Sequence, residues 1–184
     1  EKENNSKNID LIEKLKIEKK DSFKKIYSSL TSWQKVQVAR HANRPHTLDY
    51  ISNVFDDFVL LSGDKKYSED RSIVAGFAKI HEMSVIVIGN EKGNSMESRI
   101  KHNFGMAKPE GYRKAQRLML IAEKFNLPVI TFVDTAGAFP GKDAEERGQS
   151  ESIASSISLS LKIKTPIISI IIGEGGSGGA VGLA

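Results

Sequence analysis

Hydrophobic residues in the first part of the chain recur at the spacing of an amphipathic helix. Residues 1–20 are mostly polar, and their few apolar positions form a weak helical stripe. Asp21 can cap a following helix, because its side chain can accept a hydrogen bond from a backbone N–H group of the first turn. The apolar residues after it lie at i, i+3, i+4 and i+7, which predicts a helix carrying Phe23, Ile26, Tyr27 and Leu30 on one face.

Two more helices are predicted before residue 64. Residues 31–34 (TSWQ) have the form of a capping box, which predicts a helix from Trp33 to about Ala42 that is ended by Pro45. Thr47 can cap the next helix, which we expect to run to the turn at residues 62–64. Its apolar face consists of Leu48, Ile51, Phe55, Phe58 and Val59.

After residue 70 the pattern changes to that of β-strands and covering helices. Residues 72–80 and 83–89 are apolar runs joined by a two-residue link, which is typical of a hairpin, and residues 90–108 are polar and predicted as a loop. Pro109 is favoured in the first turn of a helix, which we expect over residues 109–125. This helix should turn Leu118, Leu120, Ile121 and Ala122 inward, and the remaining elements are a strand at 129–133, a helix at 144–162 and a strand at 167–172. Continuously apolar strands that alternate with helices predict an α/β fold with a parallel sheet.

Composition and charge argue against several classes of protein. Of the 184 residues, 39% are hydrophobic and 27% charged, and no apolar run approaches the roughly 20 residues of a membrane helix. The absence of cysteine excludes disulfides and thiolate metal sites and fits a reducing compartment such as the cytoplasm. The formal charge of +4 comes partly from lysines that alternate with acidic residues near the N-terminus, so we expect a solvated helix rather than a nucleic-acid surface. The chain starts at Glu1 and stops just after a glycine loop that should open a helix, which suggests a fragment of a longer protein.

Two strand ends carry the unusual residues: 134–141 (DTAGAFPG) and 173–179 (GEGGSGG). In parallel sheets, ligands bind beyond the carboxyl ends of the strands.

The letters DTAG also occur in small GTPases, but the chain has no GxxxxGK[ST] phosphate loop. The run 173–178 satisfies the dinucleotide pattern GxGxxG, whose acidic partner would fall beyond residue 184. The run 175–179 satisfies GxSxG, the nucleophile elbow of hydrolases, yet all four histidines precede Ser177 where a hydrolase needs one after it.

A fourth interpretation of the glycine run requires no side-chain nucleophile. Glycines allow backbone N–H groups to approach a ligand closely, and a helix N-terminus directs such groups towards negative charge. A strand, a glycine run and a helix in succession therefore suit an oxyanion-binding site. The alternative is that the glycines serve only tight packing of the helix on the sheet. Five glycines among the seven residues favour the oxyanion interpretation.

Several long motifs resemble one family. Residues 173–180 (GEGGSGGA), 134–141 and 144–151 (AEERGQSE) are similar to segments of the α subunit of the multisubunit acetyl-CoA carboxylase carboxyltransferase of bacteria and plastids. Residues 103–106 (NFGM) with 109–115 (PEGYRKA), and the element ARH–RP–TLDY within residues 39–50, resemble the same family. The motifs occur in the family's order over about residues 31–184. The resemblance implies a crotonase-like carboxyltransferase domain at 31–184, a spiral of ββα units, preceded by a charged helical extension at 1–30.

The resemblance also implies an activity and partners. The family's α subunit pairs with a β subunit in an expected α2β2 assembly, and works with biotin carboxylase and the biotin carboxyl carrier protein. Together they transfer a carboxyl group from carboxybiotin to acetyl-CoA, which yields malonyl-CoA for fatty-acid synthesis. Zinc is expected only in the β subunit, no metal site is expected in this chain, and the expected location is the cytoplasm or, in plants, the plastid stroma. An acyl-CoA hydratase or hydrolase that works without biotin, or a non-catalytic assembly subunit, are the alternatives.

The resemblance assigns the site to backbone groups. The N–H groups of Gly178 and Gly179 are expected to stabilise the ureido oxygen of biotin, with Gly175 and Gly176 on the same carboxybiotin side. Gly137 and Ala138, at the neighbouring strand end, are expected to contribute further oxyanion donors.

Other polar residues near the motifs receive lesser roles. Glu174 is expected to orient the loop rather than act as a base. Arg113 and Lys114 are expected at the surface. The chain departs from the family's DTPGAYPG at Ala136 and Phe139, and the second change removes a hydroxyl, so that side chain is given no chemical role.

Overall fold

The computed structural model describes the backbone of residues 2–184 and the side chains of residues 8, 9 and 11–184. The chain divides into two compact units, one up to Val38 and one from Ala39 to Ala184. The expected division after residue 30 falls in the turn between the first two helices. Since no helix among the described residues is long and apolar enough to cross a membrane, the structure contains no candidate membrane span in that range.

The first unit is helical, as the sequence pattern predicts. Helix α1 (Lys2–Ser28) is continuous through Asp21, so the predicted helix start at that residue is wrong. Helix α2 (Ser32–Ala39) begins with the predicted capping box. The Thr31 N–H group donates to Gln34 Oε1 at 2.8 Å, and the Gln34 N–H group donates to Thr31 Oγ1 at 3.3 Å. These two bonds satisfy donors that have no partner within the helix.

The second unit is a mixed five-stranded sheet with helices on both faces. Its strands lie in chain order as β1 (Asp56–Leu60), β2 (Ile73–Ile80), β3 (Met83–Asn90), β4 (Val129–Thr135) and β5 (Ile167–Gly175). The first three pair antiparallel and the last three parallel, which confirms both the hairpin and the parallel part of the predicted sheet. The helices are α3 (Thr47–Val54), α4 (Met96–Lys101), α5 (Pro109–Phe125), α6 (Lys142–Glu146), α7 (Gln149–Ser160) and α8 (Ser177–Val181).

Alternation along the central strands builds a hydrophobic core on each face. In β3, Ile86 and Ile88 pack in the cluster that includes α5, whereas Val85 and Val87 pack in the cluster that includes α3. All seven residues of β4 are buried. Burial on both faces explains why these strands are continuously apolar in the sequence.

Four predicted details are wrong for local reasons. The helix from Thr47 ends at Val54, and Phe58 and Val59 belong to strand β1, since a short apolar run fits either period. The loop 90–108 contains α4, which Ser95 caps through a hydrogen bond from the Ser98 N–H group at 3.2 Å. The helix predicted at 144–162 is broken at Gly148, whose φ of 82° is left-handed. Leu120, expected inside, is 51% exposed.

Candidate active site

The ends of β4 and β5 bring the two glycine-containing segments side by side. The strands are parallel neighbours, and Thr135 lies opposite Gly175. Beyond that pair, the Gly176 N–H group donates to the Thr135 carbonyl oxygen at 2.8 Å. The segments that leave the sheet after the two strands therefore start at the same level and run close together.

Glycines at every third position allow this close contact. A Cβ atom added at Gly173, Gly176 or Gly179 would lie less than 3.0 Å from atoms of residues 134–138, closer than real Cβ atoms approach. The neighbouring groups are the Asp134 carboxylate for Gly173, the Ala136 carbonyl for Gly176, and the Gly137–Ala138 peptide for Gly179. Gly178 differs, because a Cβ there would meet only Ile153 Cγ2, at an ordinary 3.7 Å. Packing thus requires three of the run's glycines.

The same contact places unpaired backbone donors next to each other. Helix α8 begins at Ser177, so the N–H groups of Gly178 and Gly179 precede the first donors that can bond within the helix. Neither group donates to an acceptor that the structure describes, and the Ala138 N–H group is likewise unpaired among the described groups. Since Gly179 packs on the Gly137–Ala138 peptide, the four residues that the sequence singled out as donors lie together. The Gly137 N–H group is not free, however, because it donates to Thr135 Oγ1 at 3.1 Å.

Ser177 is held in a strained backbone conformation between these glycines. Its φ is 57°, a left-handed value that costs a residue other than glycine about 1–3 kcal/mol. Its hydroxyl forms no hydrogen bond with any histidine in the described part of the chain. A nucleophile elbow requires such a base, so the geometry gives Ser177 the role of a small exposed spacer.

Buried side chains that sequence reasoning missed hold both segments from the side of α5 and α7. Tyr112 in α5 is fully buried, and its hydroxyl donates to the Gly179 carbonyl oxygen at 3.3 Å. Gln149 at the start of α7 donates from Nε2 to the carbonyl oxygens of Ala107 and Phe139, at 2.9 and 3.0 Å. The only sequence signal for either residue was its place in a family motif.

A buried ion-pair cluster joins the motif of α5 to the motif of α6 and α7. Glu110 is 1% exposed, and its carboxylate accepts hydrogen bonds from Arg147 Nε at 2.5 Å and Arg113 Nη2 at 3.2 Å. Lys114 is also 1% exposed and donates to the Asp70 carbonyl oxygen at 2.8 Å. The predicted surface positions of Arg113 and Lys114 are therefore wrong, because both side chains pair with buried groups.

Asp134 organises the polar side of the strand ends. It is 2% exposed and accepts hydrogen bonds from the Glu174 N–H group at 3.0 Å and from Lys92 Nζ at 3.2 Å. The Glu174 carboxylate pairs with Lys92 and with Arg40 Nε, the latter at 2.7 Å. The hydrogen bond from Lys92 is the main cause that lowers the pKa of Glu174. A carboxylate held ionised in this way is a weak base, which supports an orienting role for Glu174.

Comparison with solved structures identifies the fold of the chain. The chain superposes on transcarboxylase 12S with a TM-score of 0.66 and 18% identity, covering 82% of this chain and 27% of that one. The β subunit of geranyl-CoA carboxylase from P. aeruginosa gives a TM-score of 0.62 and 18% identity, over 78% of this chain and 25% of that one. The protein thus has the crotonase-like fold of carboxyltransferase subunits, as expected from the sequence.

Comparison of sequences identifies the family. The family model for acetyl co-enzyme A carboxylase carboxyltransferase-like proteins matches residues 1–184. The acetyl-coenzyme A carboxylase carboxyl transferase subunit alpha of Chelativorans sp. (strain BNC1) is 56% identical over 94% of this chain, and that of Rhodospirillum centenum is 57% identical over 95%. The chain belongs to this family. It spans 55% of the length of each of these two relatives.

Gly179 and Gly178 should respond differently to alanine. Gly179→Ala forces a methyl group against the Gly137–Ala138 peptide and should lower the free energy of unfolding by about 1–3 kcal/mol, the usual cost of overpacking. Gly178→Ala adds a methyl group that meets only Ile153, at an ordinary contact distance, and should leave that free energy unchanged or raise it, because alanine favours the helix. Urea unfolding of both variants measures the difference. Equal effects would show that the close contact is absent.

Replacing Glu174 with Gln should change how stability depends on pH. Lys92 lowers the pKa of Glu174 below its ordinary value of 4.5, so folding favours the ionised carboxylate. Glu174 therefore contributes stability above about pH 4.5, and this contribution is lost as the pH falls through the lower folded-state pKa. Unfolding free energies of wild type and Glu174→Gln at neutral and acidic pH should converge below about pH 4.5. A difference that stays constant with pH contradicts this assignment.

Proposed function

We propose that the complete protein is the α subunit of an acetyl-CoA carboxylase carboxyltransferase. It transfers the carboxyl group of carboxybiotin, carried by the biotin carboxyl carrier protein, to acetyl-CoA and forms malonyl-CoA. Family membership over the whole chain and the names of the relatives support this assignment. The partners are a zinc-containing β subunit, in an α2β2 assembly, and biotin carboxylase, and the location is the cytoplasm or the plastid stroma.

The observation that carries the proposal is the group of unpaired N–H donors at the paired strand ends. Gly178, Gly179 and Ala138 present donors from two adjacent segments, with no bond to another acceptor in the described chain. Such an arrangement fits an oxygen atom that gains negative charge during a reaction, because fixed donors stabilise it without reorganisation. Loss of one donor of this kind typically lowers the rate by about 10²–10³.

The residues of this chain act by binding and orientation. Carboxybiotin, when bound, supplies the carboxyl group that is transferred. Gly178 and Gly179 donate hydrogen bonds to the ureido oxygen, and Gly175 and Gly176 let the chain pass close to the same ring. Gly137 fixes the turn from which Ala138 adds its donor, since its φ of 155° lies in a range that few residues other than glycine adopt. Tyr112 and Gln149 hold the two segments at the distance that this requires.

Replacing Gly179 with Val tests the proposal in the assembled complex. The valine side chain pushes the donors of the two segments apart, so malonyl-CoA formation from carboxybiotin and acetyl-CoA should fall at least tenfold in kcat. Size-exclusion chromatography must show that the variant still binds the β subunit. Leu161→Val, at a position 82% exposed and outside the site, is the control and should keep wild-type turnover.

Three results would overturn the assignment. A fully active Gly179→Val complex would make this chain a non-catalytic assembly subunit. Turnover of an acyl-CoA without carboxybiotin would make it a hydratase or hydrolase. Absence of malonyl-CoA formation by the wild-type protein with every candidate β subunit would contradict the carboxyltransferase proposal itself.

A further inference from the structure

A cavity of about 210 Å³ lies beside the strand ends, lined by side chains that the proposed reaction does not use. Its walls come from the segment before α3, from the connection between β3 and α5, and from the ends of β4 and β5. The lining residues are Ala39, Arg40, His41, Arg44, His46, Lys92, Arg99, Phe104, Asp134 and Glu174. Four of these are cations and two are carboxylates, so the lining has two excess positive charges when the histidines are neutral.

The excess charge belongs to two arginines. Arg40 and Lys92 are paired with the carboxylates of the cavity. Arg44 donates from Nε to the Ile172 carbonyl oxygen, and Arg99 donates from Nε to the Gly93 carbonyl oxygen at 3.2 Å. Neither arginine forms a salt bridge with a described residue, and the Nη groups of both have no acceptor there. Both guanidinium groups thus keep their terminal donors and their charge for a ligand.

A buried histidine in the wall adds a second, independent indication. The His46 side chain is 7% exposed, and its Nδ1 lies 3.3 Å from Asp134 Oδ2. Its Nε2 has no hydrogen-bond partner in the described part of the chain. Buried polar atoms without a partner are rare in folded proteins and commonly mark the position of a bound ion or water.

Size and charge together restrict the ligand. The cavity is smaller than the roughly 300–1,000 Å³ of sites that enclose a whole organic ligand, so it suits one charged group and a few waters. Guanidinium groups bind phosphate oxygens in a bidentate manner. A phosphate monoester, with a charge of about −1.5 to −2 at neutral pH, matches the two excess positive charges, whereas a monocarboxylate leaves one unbalanced.

We propose that this cavity binds a dianionic phosphate group through the guanidinium groups of Arg44 and Arg99. The group is either free phosphate or the 3′-phosphate of a coenzyme A ester, which present the same chemistry to the two arginines. The site lies outside the proposed oxyanion donors. Phosphate binding is therefore measured separately from carboxyl transfer, and either proposal can fail without the other.

Titration calorimetry of the complete protein with inorganic phosphate tests the proposal. Arg44→Gln combined with Arg99→Gln should weaken binding at least tenfold, and wild-type affinity should fall as salt screens the charges. Arg71→Gln is the matched control, because Arg71 is exposed, lies outside this cavity and forms no salt bridge with a described residue. Since Arg44 also bonds the β5 backbone, Arg99→Gln alone and a thermal melt of each variant separate weakened binding from unfolding.

The source of the phosphate is resolved by two further ligands. If coenzyme A binding depends on the two arginines and dephospho-coenzyme A binding does not, the site holds the 3′-phosphate of the coenzyme. If only inorganic phosphate depends on them, the ligand is free phosphate. The proposal is overturned if wild-type protein does not bind phosphate, if the double variant binds it as tightly, or if acetate binds as well as phosphate.

Discussion

The geometry of the candidate active site depends on one interaction, the parallel pairing of β4 with β5. Because Thr135 lies opposite Gly175, the two segments that follow leave the sheet at the same level, about 4.8 Å apart. At three positions a side chain on the β5 side would point into the neighbouring segment, so these positions require glycine. They are Gly173 in β5 itself, where a Cβ would meet the Asp134 carboxylate, and Gly176 and Gly179 beyond the strand, where a Cβ would meet backbone atoms. The position of the backbone donors therefore follows from the register of the sheet.

The sequence presents tight packing and oxyanion binding as alternative explanations of the glycine run, and the structure makes them compatible. Gly179 packs tightly on the Gly137–Ala138 peptide, and the N–H groups of Gly179 and Ala138 are both unpaired among the described residues. Buried polar groups then hold the junction from two sides, with Tyr112 on one segment and Asp134 at the base of the other. Tight packing and oxyanion binding are therefore consequences of one geometry.

Local signals in the sequence predict much of this structure, and long-range pairing explains what they miss. The capping box at Thr31 and the helix from Pro109 to Phe125 depend on neighbouring residues, and both are confirmed. Arg113 pairs with Asp64, 49 residues away, and Lys114 with the Asp70 carbonyl oxygen, 44 residues away, and no periodicity shows either pairing. The strand ends and their glycines were recognisable in the sequence. The side chains that position them, Tyr112 and Gln149, were not, because a buried tyrosine or glutamine has no pattern of its own.

The three-residue spacing of the close glycines has a consequence for how this segment can change over generations. Substitution is tolerated at intervening positions such as Gly178, where a methyl group finds room. Insertion or deletion of a single residue within residues 173–179 has a different effect. It shifts every later glycine by one position along the neighbouring segment, so that a residue with a side chain takes the place of the glycine at the close contact. A Cβ atom would then point into the backbone of residues 136–138. The length of this run is thus constrained more strictly than its composition.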